Sequence, residues 1–210
     1  MAVDGAQIVA WMQDFATSVE EHKQELVKLD TAIGDSDHGT NMDRGMKKAV
    51  EQLTASSPAD AATALKTVAM ALISTVGGAA GPLYGTLFLQ MSTALNGVEE
   101  VDLAAFTAAL EKGVEGVQAR GKAQPNDKTM IDALWPAVTS LKQASGQGTS
   151  FGVALNDAAE AAREGMLATT PLVARKGRAS YLGERSAGHQ DPGATSSYYL
   201  IKSAAETLTD

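Results

Sequence analysis

At 210 residues, with 44% hydrophobic and 20% charged residues, the chain suits one well-buried soluble domain, expected over 1–210. A net charge of −8 without Lys/Arg runs excludes nucleic acid and anionic membrane as main partners, and the lack of cysteine excludes disulfides, thiol catalysis and cysteine-ligated zinc. No basic-then-apolar leader opens the chain, and no apolar stretch reaches the roughly 20 residues that span a bilayer, so a cytoplasmic protein is expected.

Helical spacing runs along the whole chain. Asp4 stands as an N-cap before Ile8, Trp11, Met12, Phe15, Val19, Leu26 and Leu29, whose three- to four-residue steps predict one helix to about residue 29. A second helix is expected from Asn41, with Met42, Met46, Val50 and Leu53 on its apolar face. Ser57-Pro58-Ala59-Asp60 starts a third, with proline at the first helical position, which continues to Thr75. Pro82 opens a fourth that stops at Asn96-Gly97, and Asp102 caps a fifth that extends to about Arg120. A sixth covers about 127–144, where Pro136 could kink it, a seventh about Phe151 to Ala168, and an eighth runs from about Ala194 to the C-terminus. No segment shows the clear period-two alternation of a strand. Eight helices with short connections make an all-α, antiparallel up-and-down bundle or barrel. One connection is exceptional: about Thr169 to Gly193, an irregular length that in a compact domain usually serves function.

The chemistry concentrates where the pattern breaks. In LDTAIGDSDHGTNMDRG, Asp30, Asp35 and Asp37 fall within eight positions around Gly34, and carboxylates so close repel unless a hard cation such as Mg²⁺ or Ca²⁺ joins them. The turn then enters a helix N-terminus, whose free N–H groups suit phosphate. Metal and phosphate at one turn indicate a nucleotide site. The turn with Gly77, Gly78 and Gly81 reads first as a tight interhelical connection; beside the aspartates, a phosphate-cradling reading gains weight. The cations of Arg120-Gly121-Lys122 and Lys128 suit either solvent or a nucleotide. In the long loop, Arg175, Lys176, Arg178 and Arg185 are four cations in an acidic chain, and arginine's planar fork matches phosphate oxygens. No GxxxxGK[ST] loop and no protein-kinase motif set occurs. An EF-hand beginning at Asp35 would put Met46 where its closing glutamate belongs. With only His22, His38 and His189 available, zinc is disfavoured; His22 is expected to be solvated on a charged helix face.

Together LDTAIGDSDHGTNMDRG, VGGAAGPLYGT, RGKAQPNDKTMIDALWP and ARKGRASYLGERSAGHQDPGATS, in order along nearly the whole chain, resemble the nucleotide-binding L subunits of bacterial dihydroxyacetone kinases. The resemblance implies an eight-helix antiparallel barrel that binds nucleotide at one end through its interhelical loops. It implies Asp30, Asp35 and Asp37 as ligands to a pair of Mg²⁺ ions, with His38, Gly39, Thr40 and Asn41 at the nucleotide. Ala79 and Ala80 would line the phosphates through their backbone, and Gly121 and Met130 the adenosine end. Arg178, the catalytic candidate, and Asp191-Pro192-Gly193 would close over the nucleotide. Two departures stand out: Ala80 where related subunits often carry serine, and Asn126 where glycine is common.

ADP carries about three negative charges beside the three aspartates, so such a site needs divalent cations. The implied activity passes a phosphoryl group to dihydroxyacetone held by a partner K subunit, from ADP kept as a cofactor and rephosphorylated by an M-type phosphotransferase-system protein. One alternative is an ATP-dependent kinase subunit that exchanges bulk ATP and acts on dihydroxyacetone or another short ketose or sugar alcohol. Another is a nucleotide-loaded regulatory module that binds a transcription factor. A homodimer is compatible with either.

Overall fold

The computed structural model describes residues 3–209. Met1 and Ala2, in the run read for a leader, and Asp210, in the stretch expected to end the last helix, lie outside the described residues. Among the described residues all regular structure is helical. In chain order the helices are α1 (Gly5–Glu21), α2 (Lys23–Ile33), α3 (His38–Ser56), α4 (Ala61–Thr75), α5 (Ala80–Leu95), α6 (Leu103–Gly121), α7 (Ile131–Gln147), α8 (Phe151–Ala168) and α9 (Pro192–Thr207). A 3-10 segment, η1 (Arg178–Ser186), precedes α9 and is broken at Gly183 (φ 55°, ψ −131°).

Among the described residues nine α-helices replace the expected eight, because the first prediction joins two. At His22 (φ −97°, ψ 10°) α1 ends and α2 begins. The ring of His22 lies 4.4 Å from that of Tyr199, and its Nδ1 meets the Ser18 carbonyl at 2.8 Å. His22 is therefore half-buried rather than solvated. The break rests on a residue far along the chain, which local periodicity cannot register. Other boundaries shift by a few residues: α3 starts at His38, α5 at Ala80 ahead of Pro82, and α7 only at Ile131. Pro58 precedes α4, whose cap is Asp60.

The caps follow from sequence. Asp4 and Gln7 form a reciprocal capping box, each backbone N–H meeting the other's side chain at 2.9 Å. Asp60, Asp102 and Asp191 accept N–H bonds from Thr63 (2.8 Å), Ala105 (2.8 Å) and Ala194 (2.7 Å). In the core, Trp11 meets Phe88 and Phe106 at ring-centroid distances of 6.2 and 5.7 Å, and Phe106 meets Phe151 at 5.4 Å. Each such side chain contributes about 1.5–3 kcal/mol by leaving water. The Trp11 indole N–H also donates to the Leu200 carbonyl at 2.9 Å and joins α1 to α9. α7 continues through Pro136, which cannot donate to the Asp132 carbonyl; Gly165 of α8 packs against that carbonyl where any Cβ would collide.

Neighbours in the chain are neighbours in space. From α3 to α9 each α-helix packs on the next, α9 returns to α1, and α1 packs on α3, so the contacts close into a ring with α2 against α3, α9 and η1. Residues of the α2–α3, α4–α5, α6–α7 and α8–α9 connections line one cavity, which places all four at the same end. No helix among the described residues is long and apolar enough to cross a membrane.

Candidate functional site

The cavity begins at the aspartates. One carboxylate oxygen from each of Asp30, Asp35 and Asp37 lies within 4.8 Å of the others. Asp30, buried at the end of α2, accepts the backbone N–H groups of Asp37 (2.8 Å) and His38 (3.0 Å) through Oδ2, so it shapes the turn that carries the other two. Ser36 completes that turn at φ 66°, in the left-handed region. Burial first, then the charges of Asp35 and Asp30, raise the Asp37 carboxyl above its ordinary value; a hydrogen bond from Asn41 and the Arg178 charge oppose them. Arg178 Nε meets Asp35 Oδ2 at 2.8 Å, the one cation paired to the cluster among the described residues. An oxygen-only donor set with a surplus of negative charge fits a hard divalent ion.

The opposite walls are the Gly77–Ala80 turn, Lys128 to Met130, Lys176 to Ala179, and Asp191 to Gly193, with Leu83 and Tyr84 at the base. Of the residues singled out from sequence, Asp30, Asp35, Asp37, His38, Ala79, Ala80, Met130, Arg178, Asp191, Pro192 and Gly193 meet here. Gly39, Thr40 and Asn41 follow in the first turn of α3 but do not line the cavity. Gly39 is where α3 passes the Lys23 carbonyl, too close for a Cβ, while Asn41 holds Asp37 and accepts from Arg44 Nη2 at 2.7 Å. Gly121 lies behind Leu83 and is not in the wall either. Ala80, without a hydroxyl, opens α5 and offers its backbone N–H.

The α6–α7 loop is built on two carboxylates. Asp127 accepts from the Gln124 N–H at 2.8 Å, and Asp132 accepts from Thr129 at 2.8 Å and also from Asn126. Asn126 and Lys128 sit at φ 70° and 65°. Asparagine tolerates that region better than most residues, which accounts for Asn126 where glycine is common.

A buried polar chain, not foreseen from sequence, supports His38. Its Nε2 meets Ser196 Oγ at 2.9 Å; Ser196 Oγ also meets the Tyr84 hydroxyl at 2.7 Å and the Gly193 carbonyl at 3.1 Å, and Tyr84 reaches Ser197 Oγ at 3.1 Å. Burial pushes the His38 imidazole down to about 4 against the pull of Asp30 and Asp35, so it is neutral at pH 7. Burial likewise pushes the Tyr84 phenol up to about 12 and the Asp191 carboxyl up to about 7, the latter opposed by the Ala194 N–H. Tyr84→Phe is expected to cost about 1–2 kcal/mol by leaving buried serine hydroxyls short of a partner, and to broaden or shift the His38 imidazole resonances. Urea unfolding and ¹⁵N NMR of the imidazole check this; an unchanged spectrum refutes the support of His38 by Tyr84.

Comparison with known proteins bears on the whole chain. The DAK2 domain family matches residues 32–206. The chain is 44% identical over 205 residues to the PEP-dependent dihydroxyacetone kinase, ADP-binding subunit DhaL, of Escherichia coli K12, covering 98% of each chain. It is 45% identical over 207 residues to the ADP-binding subunit DhaL of PEP-dependent dihydroxyacetone kinase 1 of Listeria innocua, covering 99% of this chain and 98% of that one. The solved dihydroxyacetone kinase of C. freundii in complex with AMP-PNP and Mg²⁺ superposes with a TM-score of 0.74 at 25% identity over 98% of this chain, which spans only 34% of that longer one. From these end-to-end matches, the chain belongs to the DAK2-domain family, among the DhaL subunits of dihydroxyacetone kinases.

Proposed function

We propose that this chain, as one domain over 1–210, is the nucleotide-binding subunit of a dihydroxyacetone kinase. ADP held with a pair of Mg²⁺ ions at one end of an antiparallel barrel, whose eight ring helices are α1 and α3 to α9, is phosphorylated by an M-type phosphotransferase-system protein. The phosphoryl group then passes to dihydroxyacetone on a K subunit, giving dihydroxyacetone phosphate. The observation that carries this reading is the convergence of Asp30, Asp35 and Asp37 within 4.8 Å at a cavity walled by a glycine turn and the start of α9. The subunit names of the relatives, 44% and 45% identical, support it.

Bound Mg²⁺–nucleotide would supply the phosphoryl carrier and the charge neutralisation that transfer chiefly requires. The chain's residues hold and orient it. Asp30, Asp35 and Asp37 would take the cations, and the N–H groups at the start of α5 would serve phosphate oxygens. Arg178, already at the cluster through Asp35, would set its positive charge against the negative charge of the transferring phosphoryl group. His38, neutral and fixed by Ser196, can offer a hydrogen bond without adding charge. A cytoplasmic location fits these partners.

Native mass spectrometry of the protein as purified, without added nucleotide, tests the reading. Retained ADP with Mg²⁺ is the expected result. An empty site that fills reversibly with ATP would favour the exchanging kinase, a reading suggested by the AMP-PNP complex of the C. freundii enzyme. No nucleotide binding at all would overturn the assignment.

A further inference from the structure

Lys128 is the side chain least expected where it lies. It is 1% exposed, with its backbone in the left-handed region at φ 65°. Its Nζ donates to the carbonyls of Thr169 (2.8 Å), Leu172 (3.1 Å), Thr170 (3.4 Å) and His189. No carboxylate forms an ion pair with it among the described residues; the Asp191 charge acts on it without direct contact. An ammonium has three protons to place and, once buried, no water to receive them, so the four carbonyls replace its hydration shell. All four belong to the segment that returns the chain from α8 to α9.

That segment leads directly to the cavity wall. Thr169 Oγ1 accepts the Asp191 N–H at 3.0 Å, so the residue whose carbonyl binds Lys128 also holds Asp191. Met130 lies two residues after Lys128 and Gly193 two after Asp191. A Cβ added to Gly193 would stand 3.6 Å from the Met130 nitrogen and 3.7 Å from its Cβ, so the two walls are adjacent. One buried charge therefore joins the α6–α7 loop to the entry of α9 across 41 to 61 residues of chain.

We propose that Lys128 is a positioning residue that fixes the Asp191–Gly193 wall against Met130, and so sets how long a bound nucleoside diphosphate is held. The proposal rests on the nucleotide reading above. Such a clamp slows release without touching the reacting phosphate, and it suits a site whose nucleotide serves as a retained cofactor rather than an exchanging substrate.

The test compares wild type with Lys128→Met, which keeps length and removes the charge, and with Thr169→Val, which breaks the Asp191 link while leaving the Lys128 acceptors intact. Leu141→Ala, a core truncation further along α7, controls for general destabilisation. Two measurements are made: amide hydrogen exchange over residues 187–193 without nucleotide, and the release rate of bound ADP. Both loop variants are expected to exchange about tenfold faster over that segment, with α4 and α5 unchanged, and to release ADP about tenfold faster, while Leu141→Ala does neither. Turnover per bound nucleotide in Thr169→Val, whose site lies outside the cavity wall, should stay within about twofold, a split that mere destabilisation would not produce. Wild-type exchange and release rates in folded Lys128→Met overturn the proposal, as does faster exchange with unchanged ADP release. If Lys128→Met does not fold, Thr169→Val decides by the same criteria. Wild-type protein that binds no ADP overturns the function reading and the proposal with it, even where exchange shows the segment to be pinned.

Discussion

Asp37→Ala is expected to abolish nucleotide retention and phosphoryl transfer while raising, not lowering, the melting temperature of the protein in EDTA. The two signs come from one cause. Without a cation the three carboxylates share a space no wider than 4.8 Å between ligand oxygens. Two such charges repel by roughly 3–4 kcal/mol at an effective dielectric of about 20, an upper bound because solvent screens the partly exposed Asp35. Burial first, and after it the charges of Asp35 and Asp30, raise the Asp37 carboxyl. Removing it relieves the empty site and destroys the occupied one. Circular dichroism should show unchanged helicity, and thermal melts with and without Mg²⁺–ADP should show the ligand-induced shift only in wild type. Full activity in Asp37→Ala would sink the metal assignment. Asp30→Ala should differ: it also frees the N–H groups of Asp37 and His38, so it loses stability as well as ligand.

Arg178→Ala should leave folding almost untouched and slow transfer by about 10²–10³-fold. Arg178 is 66% exposed, and its partner Asp35 is 34% exposed. An ion pair so open to solvent contributes about 0–1 kcal/mol, and the loop is anchored elsewhere, through Ile33, Ala174, Ala179 and Leu182 and the bond from the Ala174 N–H to Ser186 Oγ at 2.8 Å. What the guanidinium supplies is a planar, permanent charge at the mouth of the aspartate cluster. Arg178→Lys should recover only part of the rate, since a point charge cannot match two phosphate oxygens at once. Steady-state turnover with the acceptor and donor partners present measures both. A kinetically silent Arg178→Ala means that this loop is no phosphate clamp.

Local signals were legible to different depths. The N-caps at Asp4 and Asp102, and the whole of α8, stand in the structure as the residue pattern indicates, whereas the third helix starts after Asp60 and not at Pro58. The α1–α2 break was not legible, because it depends on His22 meeting Tyr199. α7 starts four residues later than its pattern indicates, because Asp127 looks like a helix-opening residue but gives its carboxylate to the Gln124 N–H within the loop. In the site, the aspartates were visible through their spacing and Arg178 through its place in an acidic chain. Tyr84 and Ser196 gave no signal, since an aromatic at helical spacing reads as core and a helical serine as surface. Lys128 was visible only as one more cation in a loop, and nothing adjacent in sequence tells a buried lysine from a solvated one.

The sequence by itself determined the all-helical class, the position of most turns, the clustering of three aspartates at one turn and the family to which the chain belongs. These depend on periodicity, capping chemistry and ordered motifs, all of which act over a few residues. Tertiary structure alone decided that four connections share one end, that His38 lines the cavity while Gly39, Thr40, Asn41 and Gly121 do not, and that Ser196 meets His38 and Lys128 meets the Thr169 carbonyl. Each of these depends on contact between residues distant in the chain, 158 apart for His38 and Ser196, and a buried hydrogen bond of that kind exists only once the helices have packed.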